Sequence, residues 1–169
     1  MTPMASLPRG SPARIVGFVG DSGTIEGMNR GETILVVDDD AKMQAILHHA
    51  AELSGMSTVS VVDAKRAIEE AAERRPDMIL LEIGAGGGAG RLALNGLKND
   101  ERTKAIPVFV VSARTSREDR MDAFELGADD YFDKSFDVTL LFRRIAHTLE
   151  KARSGNYSVS SSKIKINVG

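Results

Sequence analysis

Between residues 31 and 153 the chain alternates two hydrophobic periodicities. Short runs rich in β-branched and apolar residues, TILVV (33–37), STVSVV (57–62), MILLEI (78–83), PVFVVS (107–112) and DYF (130–132), predict five strands. Apolar positions at helical spacing between them predict helices over 41–53, 64–75, 90–98, 116–126 and 137–153. Asp40 and Asp63 stand where a side chain can cap a helix N-terminus, while Gly55, Pro76 and Gly127 stand where helices stop. In the last helix Val138, Leu141, Ile145 and Leu149 fall on one face.

Strands and helices that alternate through short loops imply an α/β fold, a parallel sheet covered by helices on both faces. Right-handed crossovers leave few topologies, and the functional crevice of an open sheet lies at the carboxyl ends of its strands. Residues 1–30, rich in Pro, Gly and Ser, read as a flexible leader, residues 31–153 as one domain, and 154–169 as a Ser-rich tail or linker. Within that tail Ile164, Ile166 and Val168 alternate with polar residues, as in a short strand.

Composition narrows the function classes. The 169 residues include 42% hydrophobic and 27% charged, as in an ordinary globular domain. A net charge of −2 gives no pull toward nucleic acid or an anionic membrane, and no segment is long enough to span a bilayer. The apolar run after Arg14 is too short for a secretory signal. The absence of cysteine excludes disulfides, thiolate metal sites and cysteine nucleophiles.

The strand ends carry the candidate chemistry. The first ends in Asp38, Asp39 and Asp40, the third in Glu82, the fourth in Ser112, and the fifth is followed by Lys134. Asp38, Asp39 and Glu82, with the backbone of Gly84 beside them, offer the oxygen ligands that magnesium takes, and Ser112 and Lys134 would face an anion held there. Each feature also has a plain reading: the aspartates as helix caps, Lys134 as a surface residue, Ser112 as a strand-end hydroxyl, Tyr131 as packing, and His48 and His49 as surface positions.

ILVVDDD, RRPDMILLEI, IPVFVVSA and GADDYFDKSF, in this order and spacing, resemble the receiver domain of two-component response regulators over about residues 32–152. The resemblance implies a flavodoxin-like (βα)5 fold with strand order 2-1-3-4-5. It also implies a cytoplasmic, non-enzymatic role in bacterial signalling, with a histidine kinase, phosphatase or output protein as partner. Asp38 and Asp39 would bind the metal, Glu82 would occupy the phosphoacceptor position, and Ser112, Tyr131 and Lys134 the switch positions. A homodimer would use the fourth helix, fifth strand and fifth helix, where Asp119, Asp122 and Glu125 could meet Arg143 and Arg144 of a second copy.

Three departures mark the crevice. The acceptor position holds Glu82 instead of Asp, GAGGGAG replaces the family's usual loop, and Ser135 follows Lys134 where the family has proline. Without proline a cis bond costs about 3 kcal/mol, so the bond after Lys134 is expected to be trans. These departures suggest a pseudo-receiver, an interaction module independent of phosphorylation, with weak Mg2+ binding and no organic cofactor. The alternative is a conventional receiver that accepts phosphate at an unusual residue. A remoter reading takes GAGGGA (84–89) as a dinucleotide fingerprint, against which stand its place after the third strand and the nearby Glu82 charge.

Overall fold

The computed structural model describes residues 31–84 and 86–156. The expected leader, 1–30, and residues 157–169 of the expected tail, with its alternating Ile164, Ile166 and Val168, lie outside the described residues.

Five strands form one parallel sheet: β1 (Thr33–Val37), β2 (Ser57–Val61), β3 (Met78–Leu81), β4 (Val108–Ser112) and β5 (Asp130–Asp133). Their order is β2-β1-β3-β4-β5, as the resemblance implies. The central strands β3 and β4 are buried at every position, whereas the edge strand β2 buries only Val61. Helices on both faces leave a central strand no solvent side, so its sequence is continuously apolar.

Five helices cover the sheet: α1 (Ala41–Leu53), α2 (Ala67–Arg74), α3 (Ala89–Asn99), α4 (Arg117–Glu125) and α5 (Val138–Arg153). On one face Leu35, Val37, Ile79, Leu81 and Val110 pack against Ala71 of α2, Leu94 and Leu97 of α3, and Ala123 of α4. On the other, Ile34, Val36, Leu80 and Phe109 pack against Leu47 of α1 and Leu141, Ile145 and Leu149 of α5. Val138, on the same stripe of α5, is only half-buried.

The caps follow the sequence. Asp40 accepts hydrogen bonds from the N–H groups of Lys42 and Met43, Asp137 from Thr139 and Leu140, and Ser116 from Asp119. The second helix differs from expectation, since Asp63 caps a 3-10 turn over Ala64–Arg66 and the α-helix begins only at Ala67. It ends at Arg74, and Arg75 takes a left-handed conformation (φ 47°) before Pro76, whose ring bars the helical region to the preceding residue.

Backbone bonds carry the sheet's rigidity past the strand ends. Asp38 N–H donates to the Val61 carbonyl (3.1 Å), Glu82 N–H to Val37 (2.9 Å) and Lys134 N–H to Ser112 (2.8 Å). Three of the candidate residues are thus fixed at their backbones before their side chains make any contact.

Candidate functional site

The Glu82 side chain is almost fully buried at the carboxyl end of β3, and its carboxylate collects three kinds of donor. Oε1 accepts from the Gly84 N–H and from Ser112 Oγ (2.8 Å), and Oε2 lies 3.1 Å from Lys134 Nζ. The same ammonium is 3.0 Å from Asp38 Oδ2, so one cation bridges two carboxylates that arrive from different strands. A backbone amide, a hydroxyl and an ammonium converging on one anion form a donor set that fixes negative charge at a point.

Electrostatics follows from this geometry. Burial raises the pKa of Asp38, and bonds from the Asp40 N–H and from Lys134 offset part of that rise. Burial alone would lower the Lys134 pKa, but Asp38 and Glu82 outweigh it and the net direction is upward. Lys134 therefore stays charged at neutral pH.

Asp39 is exposed beside this group. A cleft of about 80 Å³ opens among Asp38, Asp39, Asp63 and Glu82, with Val62 and Ala89 on its walls. Organic ligands occupy pockets of about 300 Å³ or more, so this cleft suits water or a small ion. Among the described residues no three acidic or histidine side chains gather tightly enough to hold a metal. The carboxylates do not fit magnesium as arranged: Lys134 occupies the oxygens of Asp38 and Glu82 that face it, and Gly84 turns its N–H toward Glu82.

The last glycine of the loop serves the chain's own packing. A Cβ on Gly90 would come within 2.5 Å of the Glu82 carbonyl oxygen and of Ile83 Cα, so the first turn of α3 can press on the end of β3 only if this residue is glycine. Gly88, which caps α3, holds a φ of 103°. The close approach at Gly90 is made by the chain's own backbone just past β3, at Glu82 and Ile83.

Tyr131 is nearly fully buried. Its hydroxyl donates to the Arg114 carbonyl (2.7 Å), and the Arg120 guanidinium lies over its ring, 4.9 Å from the centroid. The Arg114 N–H in turn reaches Ser112 Oγ (3.2 Å). A connected path thus runs from Glu82 through Ser112 and the loop after β4 to Tyr131.

Two of the surface acids of α4 have partners within the chain. Asp122 binds Arg91 of α3, and Asp119 lies 3.6 Å from Arg91 and 3.3 Å from Arg114 while accepting from Ser116. On the other side Arg144 binds Asp130 (2.6 Å). Glu125 and Arg143 are exposed. Arg91, Arg120 and Asp133 were not singled out from sequence, because the partner of each depends on how the chain packs. Asp63, read only as a cap, both caps and lines the cleft.

The response regulator receiver domain family matches residues 34–146. The transcriptional regulatory protein PrrA of Mycobacterium tuberculosis (strain H37Rv) is 40% identical over 133 residues, covering 77% of this chain and 54% of PrrA. The phosphate regulon transcriptional regulatory protein PhoB of Escherichia coli (strain K12) is 36% identical over 118 residues, covering 70% and 52%. The chain spans about half the length of these curated relatives. A solved CheY-like receiver domain protein of Methanospirillum hungatei shares the fold, with a TM-score of 0.68 and 19% identity over 75% of this chain and 99% of that one. The chain belongs to the response regulator receiver domain family of two-component signalling.

Proposed function

We propose that this domain is a pseudo-receiver, a phosphorylation-independent interaction module in which Glu82 stands where a phosphoryl group would be held. The carrying observation is that the Glu82 carboxylate already engages the Gly84 N–H, Ser112 Oγ and Lys134 Nζ. A phosphoaspartate would bring a charge of about −2 and three acceptor oxygens. Glu82 brings one charge and two oxygens, enough to retain the lysine and the hydroxyl together. The buried Tyr131 is then the far end of a path preset by an anion that never leaves.

The ligand in this reading is a signalling protein, a kinase, phosphatase or output protein, and the domain performs no catalysis of its own. Self-association through α4, β5 and α5 would use the exposed Arg143 and Glu125, since Asp119, Asp122 and Arg144 are engaged within the chain. Among the described residues no helix is long and apolar enough to cross a membrane, and we place the domain in the cytoplasm with its signalling partners. Mg2+ binding is weak, because the ion must displace Lys134. The names of PrrA and PhoB support an output at transcription in the whole protein.

Partner affinity tests the reading across wild type, Glu82→Gln and Glu82→Asp. The Gln variant removes the charge that holds Lys134 and weakens binding, and the Asp variant behaves as an unphosphorylated receiver; three equal affinities would reject the reading. Incubation with a small phosphodonor and magnesium should leave the mass at Glu82 unchanged. The conventional phospho-accepting alternative would instead show a stable, donor-dependent gain at that residue.

A further inference from the structure

We propose that Asp133 is a positioning residue for Lys134, acting through Ser135. The inference rests on reading Lys134 as the cation that holds the Glu82 anion, and it assigns the structure that aims it.

β5 ends at Asp133, and the chain must reverse before Asp137 caps α5. It does so in a four-residue turn closed by the Phe136 N–H on the Asp133 carbonyl (3.0 Å), with Lys134 and Ser135 at its centre. The Asp133 carboxylate folds over this turn. Its Oδ1 accepts the Ser135 N–H at 3.0 Å and also the Ser135 hydroxyl. These bonds hold the Asp133 pKa below its ordinary value, so the engaged form is the carboxylate.

The rest of the turn is anchored on both sides. The Lys134 N–H is bound to the Ser112 carbonyl, and the Phe136 ring meets Phe132 edge-on at 6.5 Å between centroids. With the backbone held at these points, the Lys134 side chain reaches inward to Asp38 and Glu82. Ser135 is exposed, so burial does little to fix the turn. Both donors that tie it down come from that one residue. Alanine at 135 could supply only the N–H, and proline neither. An aspartate followed two positions later by serine is the spacing at which a side chain can bridge to the backbone in this way.

Trace acetylation of the full chain, read by mass spectrometry, tests the assignment. The reactivity of Lys134 is compared within each molecule with that of Lys98, buried in a separate ion pair, and of the exposed Lys104. Asp133→Ala should raise Lys134 labelling about tenfold while Lys98 stays unchanged, the scale expected for losing a charge-assisted pair of bonds. Asp133→Asn, whose amide oxygen can accept the same donors, should stay within about twofold of wild type. If Asp133→Ala fails to fold, Ser135→Ala carries the test, with about a threefold rise from loss of the hydroxyl bond alone.

An unchanged ratio of Lys134 to Lys98 labelling in Asp133→Ala, or in Ser135→Ala where that variant carries the test, would overturn the proposal. Equal rises in Asp133→Ala and Asp133→Asn would also overturn it, since lost charge and not a lost turn would then be responsible. If Lys134 is released as expected while Glu82→Gln leaves partner affinity unchanged, the positioning role stands and only the functional reading falls.

Discussion

Two lysines of this domain, Lys98 and Lys134, are held by buried carboxylates, and they are built differently. Lys98, near the end of α3, lies 2.8 Å from Asp129, and each side chain is only 6% exposed. Its ammonium also donates to the Ile106 carbonyl (2.9 Å), while Asp129 Oδ2 accepts the Val108 N–H (2.8 Å). One cation meets one anion in a sealed place near the amino end of β4. Lys134, at the opposite end of the sheet, is 19% exposed and faces two carboxylates, with Asp39 exposed beside them. That group keeps a net negative charge and opens onto a cleft. A neutral sealed pair has nothing left to attract, so it serves packing. An anionic group beside a cleft retains a field that a partner or ion can sense. Charge balance, more than burial, separates the structural lysine from the functional one.

The largest expected effect breaks the sealed pair. Lys98→Ala leaves Asp129 buried without its cation and should cost about 3–5 kcal/mol in urea unfolding, the range for a buried pair that loses one partner. A cost under about 1 kcal/mol would place Lys98 with ordinary surface pairs. Gly90→Ala acts at the other end of the same helix, where a Cβ would strike the backbone of Glu82 and Ile83. About 1–3 kcal/mol of destabilisation is expected from such overpacking, and an Asp129-side readout such as Lys98 labelling should stay at its wild-type value.

Lys134→Ala should be gentler, about 1 kcal/mol at neutral pH, because a carboxylate left facing another can take up a proton or meet solvent. Its more telling effect is on metal affinity. With the ammonium gone, Asp38 and Glu82 are freed toward the cleft, and calorimetry should show tighter Mg2+ binding than wild type. Unchanged affinity would mean that the ion, where it binds, never competes with Lys134.

The difference between the two lysines was only half visible in the sequence. Lys134 could be placed because β5 leads straight into it and the ends of parallel strands share one edge. Asp38, Glu82 and Ser112 were legible for the same reason. Lys98 was missed because its partner lies 31 residues away, across a contact set by how α3 and the loop before β5 pack. Arg91 with Asp122 is the same case: the acid was read as a surface charge available to a second copy, but its partner is a neighbouring helix of the same chain. The expected helix over 64–75 was nearly right, yet its first turn is 3-10, a distinction that hydrophobic spacing does not encode. Gly90 was one of several glycines in a row, and only the approach of α3 to β3 singles it out.

The smallest expected effect is a pH dependence that probes the charge balance itself. Asp38 has a pKa raised above 3.8 by burial, so the folded chain holds a proton there more readily than the unfolded one. Its contribution is stabilising below that value and is lost as pH rises through the folded pKa. Asp40, Asp119, Asp133 and Asp100, the last pulled down to about 2 by Arg102, have the opposite sign. Their contributions are present above the unfolded value and lost as pH falls. On acidification Asp38 therefore offsets part of the loss from the others. Asp38→Asn removes that offset while its amide oxygen can still accept from Lys134. Urea midpoints measured from neutral pH down to pH 4 should fall more steeply in the variant, by less than about 1 kcal/mol across the range. Parallel curves would mean that Lys134 keeps Asp38 ionised throughout, so that the group stays net negative over the whole range and burial supplies no such offset.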